Sequence, residues 1–81
     1  MKLQWTSHFV RSYSKAPKEI QLAFDKQSLL LLQDPRHPLL HTKKYDEGKR
    51  RWQGRVTRGW RFYFRIENDT YILLDIIAHP K

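Results

Sequence analysis

The residues of this sequence best suited to chemistry are arginines and histidines in its C-terminal half. Arg55, Arg61 and Arg65 lie close together in the chain, and His79 follows near its end. A guanidinium group presents a fixed fork of N–H donors to an anion. An imidazole, with an ordinary pKa of about 6.5, can give or take a proton near neutral pH. These residue types together predict a site that holds an anion.

Three strands are predicted to carry these residues, because apolar and polar side chains alternate along three segments. The side chains predicted to face a core are Trp52, Gly54 and Val56; Trp60, Phe62, Phe64 and Ile66; and Ile72, Leu74, Ile76 and Ala78. The opposite side of the sheet is then predicted to carry Arg55, Arg61, Tyr63, Arg65, Tyr71, Asp75 and His79.

The connections between these strands follow from the same alternation. Residues 57–59 suit a three-residue hairpin loop with Gly59 in its final, left-handed position. The second hairpin also needs an odd loop to keep its apolar side continuous, either residues 67–69 or residues 68–70. The cross-strand pairs predicted for the first hairpin are Arg55 with Arg61 and Val56 with Trp60.

Two arginines directly opposite each other repel, and such like-charge pairs are destabilising. An anion bound among Arg55, Arg61 and Arg65 would explain this arrangement. The alternative is a solvated polar face on which Glu67 and Asp75 balance the charge, and the sequence leaves both open.

The N-terminal half is predicted to form a strand at residues 2–5 and then two helices. Thr6 or Ser7 can cap the first helix, and Pro17 suits the first turn of the second, which Asp34 and Pro35 end. The residues predicted to share the inner faces are Phe9, Val10 and Tyr13, then Ile20, Ala23, Phe24, Gln27 and Leu31.

Residues 36–51 are predicted to form a loop, because Pro35 directly precedes them, Pro38 and Gly48 lie within them, and many of their side chains are basic. The resulting order, β-α-α-β-β-β, predicts an α+β fold. In this fold a helical hairpin packs on one face of a mainly antiparallel four-stranded sheet. At 81 residues the chain is expected to be one domain, residues 1–81.

Composition narrows the class of protein. Lys and Arg total 16 against 8 Asp and Glu, a formal net charge of +8, which attracts nucleic acid or an acidic protein segment. The chain has no cysteine, which excludes disulfides, a cysteine zinc site and a thiol nucleophile. The longest apolar run, Leu29–Leu32, is far shorter than the roughly 20 residues of a membrane span. We therefore expect a cytoplasmic protein.

Nearly end to end, the chain resembles the RelE/ParE superfamily of bacterial and archaeal toxins from toxin–antitoxin pairs. The resemblance is carried by the order and spacing of several segments rather than by one motif. They are the opening strand, residues 9–17, the leucine-rich second helix, Arg36-His37-Pro38-Leu39, Trp52-Gln53-Gly54-Arg55-Val56, Trp60-Arg61-Phe62 and the last strand with His79. The branches that look most similar are the mRNA interferases of the YoeB and YafQ type.

The resemblance implies a RelE-like fold and a ribosome-dependent endoribonuclease activity. The enzyme would cut mRNA through the 2′-hydroxyl of the RNA without a metal, and an acidic antitoxin would silence it. The resemblance also implies that Arg61, His79 and His37 are catalytic and that Arg55 contacts phosphate. Tyr63 would stack on a base or fill the sheet surface. The further residues expected to contact mRNA or rRNA phosphates are Arg65, Lys43, Lys44, Lys49, Arg50 and Arg51.

Other interpretations remain open at this point. The chain could be a ParE-like toxin that blocks DNA gyrase, although that branch lacks a His–Arg catalytic set. It could also be a catalytically weakened relative that acts only through protein binding. His37 and His41 are four residues apart, but without a third ligand their spacing does not favour zinc. His8 is expected to be an ordinary surface residue of the first helix.

Overall fold

The computed structural model of the chain describes residues 1–46, 48 and 50–79. Its elements are β1 (Lys2–Trp5), α1 (Ser7–Lys15), α2 (Lys18–Gln33), a short 3-10 helix (Pro38–Leu40), β2 (Lys43–Asp46), β3 (Arg51–Thr57), β4 (Trp60–Glu67) and β5 (Thr70–Ala78). Within these residues the strands form a five-stranded sheet in the order β1-β5-β4-β3-β2. β1 runs parallel to β5, and the other neighbours are antiparallel. The predicted α+β fold is confirmed.

The sheet has one strand more than the four predicted, counted over the part of the chain that the structure describes. The additional strand, β2, lies in the segment predicted as a loop and pairs with β3, placing Lys43 opposite Gln53 and Lys44 opposite Trp52. An edge strand can be held by backbone hydrogen bonds and charged side chains. Because β2 is held in this way, it does not need the alternation of apolar and polar side chains that predicts the other strands.

The two helices begin and end as their sequence predicts. Thr6 caps α1, because its Oγ1 accepts a hydrogen bond from the N–H of Phe9 at 3.1 Å, and the same hydroxyl donates to the carbonyl of Leu73 at 2.8 Å. α2 runs from Lys18 to Gln33, with Asp34 as its C-cap; Pro17, predicted in its first turn, is its N-cap. The Thr6 hydroxyl thus joins the start of α1 to β5.

The core lies between the helices and the sheet and is rich in aromatic rings. Phe24 of α2 packs against Phe62 of β4, with ring centroids 5.3 Å apart. Val10 is 44% exposed, so its predicted place on the inner side of α1 is wrong. Phe9 and Tyr13, four residues apart, occupy that face instead. The buried apolar residues are Phe9, Ala16, Ile20, Phe24, Leu31, Leu40, Val56, Phe62, Phe64, Tyr71, Ile72, Leu73 and Ile76.

A β-bulge at Leu74 reverses the alternation along β5. Tyr63 lies opposite Asp75, yet the next residue of β4, Phe64, lies opposite Leu73. Tyr71, predicted on the polar face, is therefore buried in the core, with its ring centroid 5.7 Å from that of Phe64. The predicted inward position of Leu74 is wrong for the same reason, because one extra residue moves a strand's side chains to the opposite face. Ile72 is buried as predicted, but it lies opposite Arg65 of β4.

Both hairpins have shorter turns than predicted. Arg55 does pair with Arg61, but Thr57, and not Val56, pairs with Trp60 across a register shift. Gly59 has no positive φ, contrary to prediction. In the second hairpin Glu67 pairs with Thr70, so the turn is residues 68–69, and Asn68 takes the left-handed conformation at φ 54°. In each hairpin the two turn residues and the one bulge residue make three unpaired residues, an odd number like that of the predicted loop. Beyond the bulge, the same side chains therefore share a face as the sequence predicts.

No helix in the described ranges is long and apolar enough to cross a membrane.

Candidate functional site

A cleft of about 430 Å³ opens on the face of the sheet that points away from the helices. We call it the arginine cleft. Its described lining residues are His41, Thr42, Lys43, Gln53, Arg55, Arg61 and His79, none of them acidic. It therefore brings together the predicted residues Arg55, Arg61, His79 and Lys43, from three strands and the segment after β5.

Arg61 is held in the arginine cleft by the turn between β3 and β4. Its Nη1 donates to the carbonyl oxygens of Thr57 at 2.7 Å, Arg58 at 3.1 Å and Trp60 at 2.9 Å. These bonds fix one nitrogen of the guanidinium, and Arg61 lines the arginine cleft. Such fixation preorganises a cation for an anionic group and lowers the entropy lost on binding.

His79 is held by the same turn through its backbone. Its N–H donates to the carbonyl of Gly59 at 2.7 Å, which extends the pairing of β5 one residue beyond the strand. The imidazole itself is exposed and lines the arginine cleft. An imidazole therefore lines the same cleft as the fixed guanidinium of Arg61.

Arg55 lies directly opposite Arg61 across the β3–β4 ladder. Its backbone is anchored from the helical side, since Gln27 Nε2 donates to the carbonyl of Arg55 at 2.8 Å and to that of Leu39 at 3.0 Å. Its Nε is buried and has no hydrogen-bond partner among the described residues. Two facing guanidinium groups without a carboxylate in the cleft provide strong attraction for an anion.

The histidines before β2 are placed differently from what the resemblance implies. His37 does not line the arginine cleft; its Nδ1 caps the 3-10 helix by accepting from the N–H of Leu39 at 3.1 Å. His41, four residues later, does line the cleft. It adopts a left-handed backbone at φ 47° and ψ 45°, which is uncommon for a residue other than glycine. His41 lies two residues before β2, and because β2 itself carries no apolar alternation, no local sequence pattern singles out His41.

The basic residues predicted to contact RNA phosphates are divided between several surfaces. Lys43 lines the arginine cleft, whereas Lys44 lies on the other face of the sheet, with its Nζ 6.0 Å from the ring centroid of Trp52. Arg50 is exposed next to β3 with a left-handed backbone at φ 53°. Lys49 lies outside the described residues. Only some of the residues predicted to contact RNA phosphates therefore lie at the arginine cleft.

A second cleft, of about 280 Å³, adjoins the first on the same face of the sheet. We call it the Asp75 cleft. Its described lining residues are His8, Arg51, Tyr63, Leu74, Asp75 and Ile77. His8 is an exposed residue of α1, as expected, and its Nε2 lies 3.2 Å from Asp75 Oδ2, so the start of α1 contributes an imidazole to this cleft.

Arg65 lies on the same face of β4 but lines neither cleft. Its Nε is 3.0 Å from Glu67 Oε1, an ion pair whose angles do not make a hydrogen bond. Both side chains are about half exposed, so the pair contributes little to stability. Glu67 thus balances Arg65, as the solvated-face alternative expects, but neither acidic group balances Arg55 or Arg61.

Comparison with protein-family models and with curated proteins returns no match to this sequence. Solved structures do match. A YoeB/ParE toxin from Agrobacterium tumefaciens superposes with a TM-score of 0.79 at 17% identity, over 99% of this chain and 100% of that chain. The archaeal RelE from the RelE–RelB complex of Pyrococcus horikoshii OT3 gives 0.80 at 12% identity, over 99% and 96%. This chain has the RelE/ParE toxin fold.

YafQ from E. coli strain BL21(DE3) shares the same fold, with a TM-score of 0.76 at 11% identity over 94% of this chain and 90% of that chain. These likenesses extend over nearly the whole RelE/ParE toxin fold, so no large element of the chain lies outside it. At such identities they concern backbone architecture. The chemistry of this chain has to be argued from its own side chains.

Proposed function

We propose that this protein is a toxin of the RelE/ParE type and that its arginine cleft cleaves mRNA on the ribosome. The observation that supports this most is the placement of Arg61 and His79 on one cleft, each bonded to the turn between β3 and β4. The fold, shared with RelE, YoeB and YafQ, agrees with a toxin role.

Cleavage through the 2′-hydroxyl needs a base for that hydroxyl, a cation for the pentavalent phosphate and an acid for the departing 5′-oxygen. Arg61 and Arg55 supply the cation, because their guanidinium groups meet the growing charge on the phosphoryl oxygens with fixed donors. His79 supplies one of the two proton transfers. Lys43 adds a positive charge to the lining of the arginine cleft.

The second proton transfer we assign to His41 and not to His37. His41 lines the arginine cleft, whereas His37 uses its Nδ1 to cap the 3-10 helix outside it. The pair His41 and His79 would face a bound phosphate from two sides of the cleft, one as base and the other as acid. This revises the residue set that the resemblance implies.

The proposal includes two kinds of macromolecular partner. The net charge of +8 suits the phosphates of mRNA and rRNA, and it equally suits an acidic antitoxin. Toxins of this fold from Pyrococcus horikoshii and Mycobacterium tuberculosis were solved as complexes with RelB antitoxins. We propose that an acidic antitoxin segment folds along the helices or a sheet edge of this chain and blocks its cleft.

Cell-free translation with primer extension on the translated mRNA tests the proposal. We expect cuts within translated codons for the wild-type chain and none for Arg61→Ala. Arg58→Ala is the matched control, because it removes the same charge from the same turn but lies outside the cleft lining. Intact mRNA with the wild-type chain, or gyrase-trapped DNA breaks in its place, would overturn the proposal.

A further inference from the structure

The Asp75 cleft contains a carboxylate on a surface that otherwise attracts phosphate. Asp75 pairs with Tyr63 across the β4–β5 ladder, and the next pair on the same face is Arg61 with Ile77. Two residues along a strand span about 7 Å. The Asp75 cleft therefore lies beside the arginine cleft, at a distance that the nucleotide next to a bound phosphate can bridge.

The Asp75 carboxylate is held in a defined position. Its Oδ1 accepts from the N–H of Ile76 at 2.8 Å, and its Oδ2 faces His8 Nε2 at 3.2 Å. The side chain is still 29% exposed, and each oxygen keeps a second lone pair. An ionised carboxylate accepts hydrogen bonds and repels phosphate, so a ligand of this cleft must present N–H or O–H donors.

The other side of the cleft offers donors and an aromatic surface. Arg51 lines it, and its Nε is buried with no hydrogen-bond partner in the part of the chain that the structure describes. Tyr63 contributes a ring, and aromatic rings stack on nucleobases. The cleft thus combines an acceptor pair, a guanidinium and an aromatic ring, the three kinds of group that recognise a base.

We propose that the Asp75 cleft is a guanine-selective base subsite. Guanine is the base whose Watson–Crick edge carries two adjacent donors, N1–H and N2–H, which one carboxylate can accept side by side. Its O6 and N7 are the acceptors that arginine binds bidentately, and Arg51 lines the same cleft. Adenine and cytosine each present a single amino group on that edge, and uracil a single N3–H.

The inference takes RNA as the ligand class and to that extent rests on the proposed function, but it can be tested without cleavage. The probes are GMP, AMP, CMP and UMP, which share one phosphate and differ in the base, with inorganic phosphate as a further reference. Amide NMR shifts of the full chain report both the affinity and the place of binding.

We expect GMP to bind at least about tenfold more tightly than AMP, CMP or UMP, with shifts at Tyr63 and Asp75. Asp75→Asn should abolish this preference, because an amide replaces one acceptor with a donor while its oxygen can still accept from Ile76. Glu19→Gln, which removes one negative charge from the exposed start of α2, should leave the preference unchanged.

Two further variants separate the possible failures. His8→Ala removes the imidazole next to Asp75 but keeps the carboxylate, so the guanine preference should persist. Arg61→Ala should abolish mRNA cleavage and keep the preference. Equal affinity for the four nucleotides, or a preference that survives Asp75→Asn, overturns the inference. Absence of cleavage by the wild-type chain overturns only the proposed function.

Discussion

Arg61 and His79 are fastened to the same turn, one through its side chain and the other through its backbone. Arg61 Nη1 donates to the carbonyls of Thr57 and Arg58, and the N–H of His79 donates to that of Gly59. The turn between β3 and β4 therefore anchors both the guanidinium of Arg61 and the backbone of His79. The predictions below test this arrangement and the core that supports it.

The first prediction concerns Arg61. Arg61→Ala should abolish mRNA cleavage and lower the free energy of unfolding by about 1–3 kcal/mol, because the turn carbonyls lose a charged donor. Arg61→Lys keeps the charge without the fork and should also cleave poorly. Cleavage in a translation extract and urea unfolding measure the two effects. Wild-type cleavage by Arg61→Ala would show that the arginine cleft is not the active site.

The histidines provide a second prediction. His79→Ala and His41→Ala should each abolish or strongly reduce cleavage, whereas His37→Ala should keep it. His79→Ala should change stability by less than about 0.5 kcal/mol, because the imidazole is exposed and the bond to Gly59 uses the backbone. The same primer-extension assay compares the three variants. Loss of cleavage in His37→Ala but not in His41→Ala would restore the role that the resemblance implies for His37.

A third prediction tests the packing under the arginine cleft. A Cβ at position 54 would lie 2.5 Å from Cε1 of Phe62, so Gly54→Ala should destabilise the fold by about 1–3 kcal/mol. Phe62→Leu shortens the opposing side chain, and the double variant should be more stable than the two single effects predict. Gly59→Ala, where a Cβ meets nothing, is the control. Additive effects in urea unfolding would contradict this close contact.

The fourth prediction concerns alkaline pH. Burial raises the pKa of the Tyr71 phenol, and the negative charge of Asp34 raises it further. Above the ordinary pKa of about 10, the unfolded chain releases this proton before the folded one, so stability falls as pH rises. Tyr71→Phe should make that fall less steep. Equal slopes for the wild type and Tyr71→Phe in unfolding measured between about pH 9 and about pH 11 would contradict it.

The last prediction concerns the antitoxin. Its association with a surface of charge +8 should be fast at low ionic strength and slow down as salt is added, because complementary charge raises the on-rate and salt screens it. Stopped-flow mixing across a salt series measures this. An on-rate that does not change with salt would mean that apolar contacts alone select the antitoxin, and that the basic surface serves RNA.

The opposition of Arg55 and Arg61 could be predicted from the sequence, although the turn that produces it could not. A three-residue loop and a two-residue turn with one bulge residue both leave an odd number of residues unpaired. The alternation of side chains therefore determines which residues of the first hairpin share a face. It does not determine where the extra residue goes. In β3 that residue is near Val56, and the pairing of Arg55 is unaffected.

In β5 the position of the bulge did matter. Because the extra residue is Leu74, the strand's alternation reverses between Leu73 and Asp75, and Tyr71 is buried while Asp75 remains on the polar face. The position of a bulge depends on how the whole strand pairs with both of its neighbours. The alternation of side chains along one strand does not give that information.

The sequence by itself determined the helices, the order of the main strands and the placement of Arg55, Arg61 and His79 on one face of the sheet. These features depend on local periodicity and on whether each hairpin loop has an odd or an even number of residues. Only the tertiary structure decided the choice of His41 over His37 for the cleft, the pairing of β2 and the meeting of His8 with Asp75. His8 and Asp75 lie far apart in the chain. β2 pairs with the strand that follows it, β3, but as an edge strand without apolar alternation. The placement of His41 depends on one left-handed residue before β2. Contacts of these kinds are fixed by packing in three dimensions, and no local pattern encodes them.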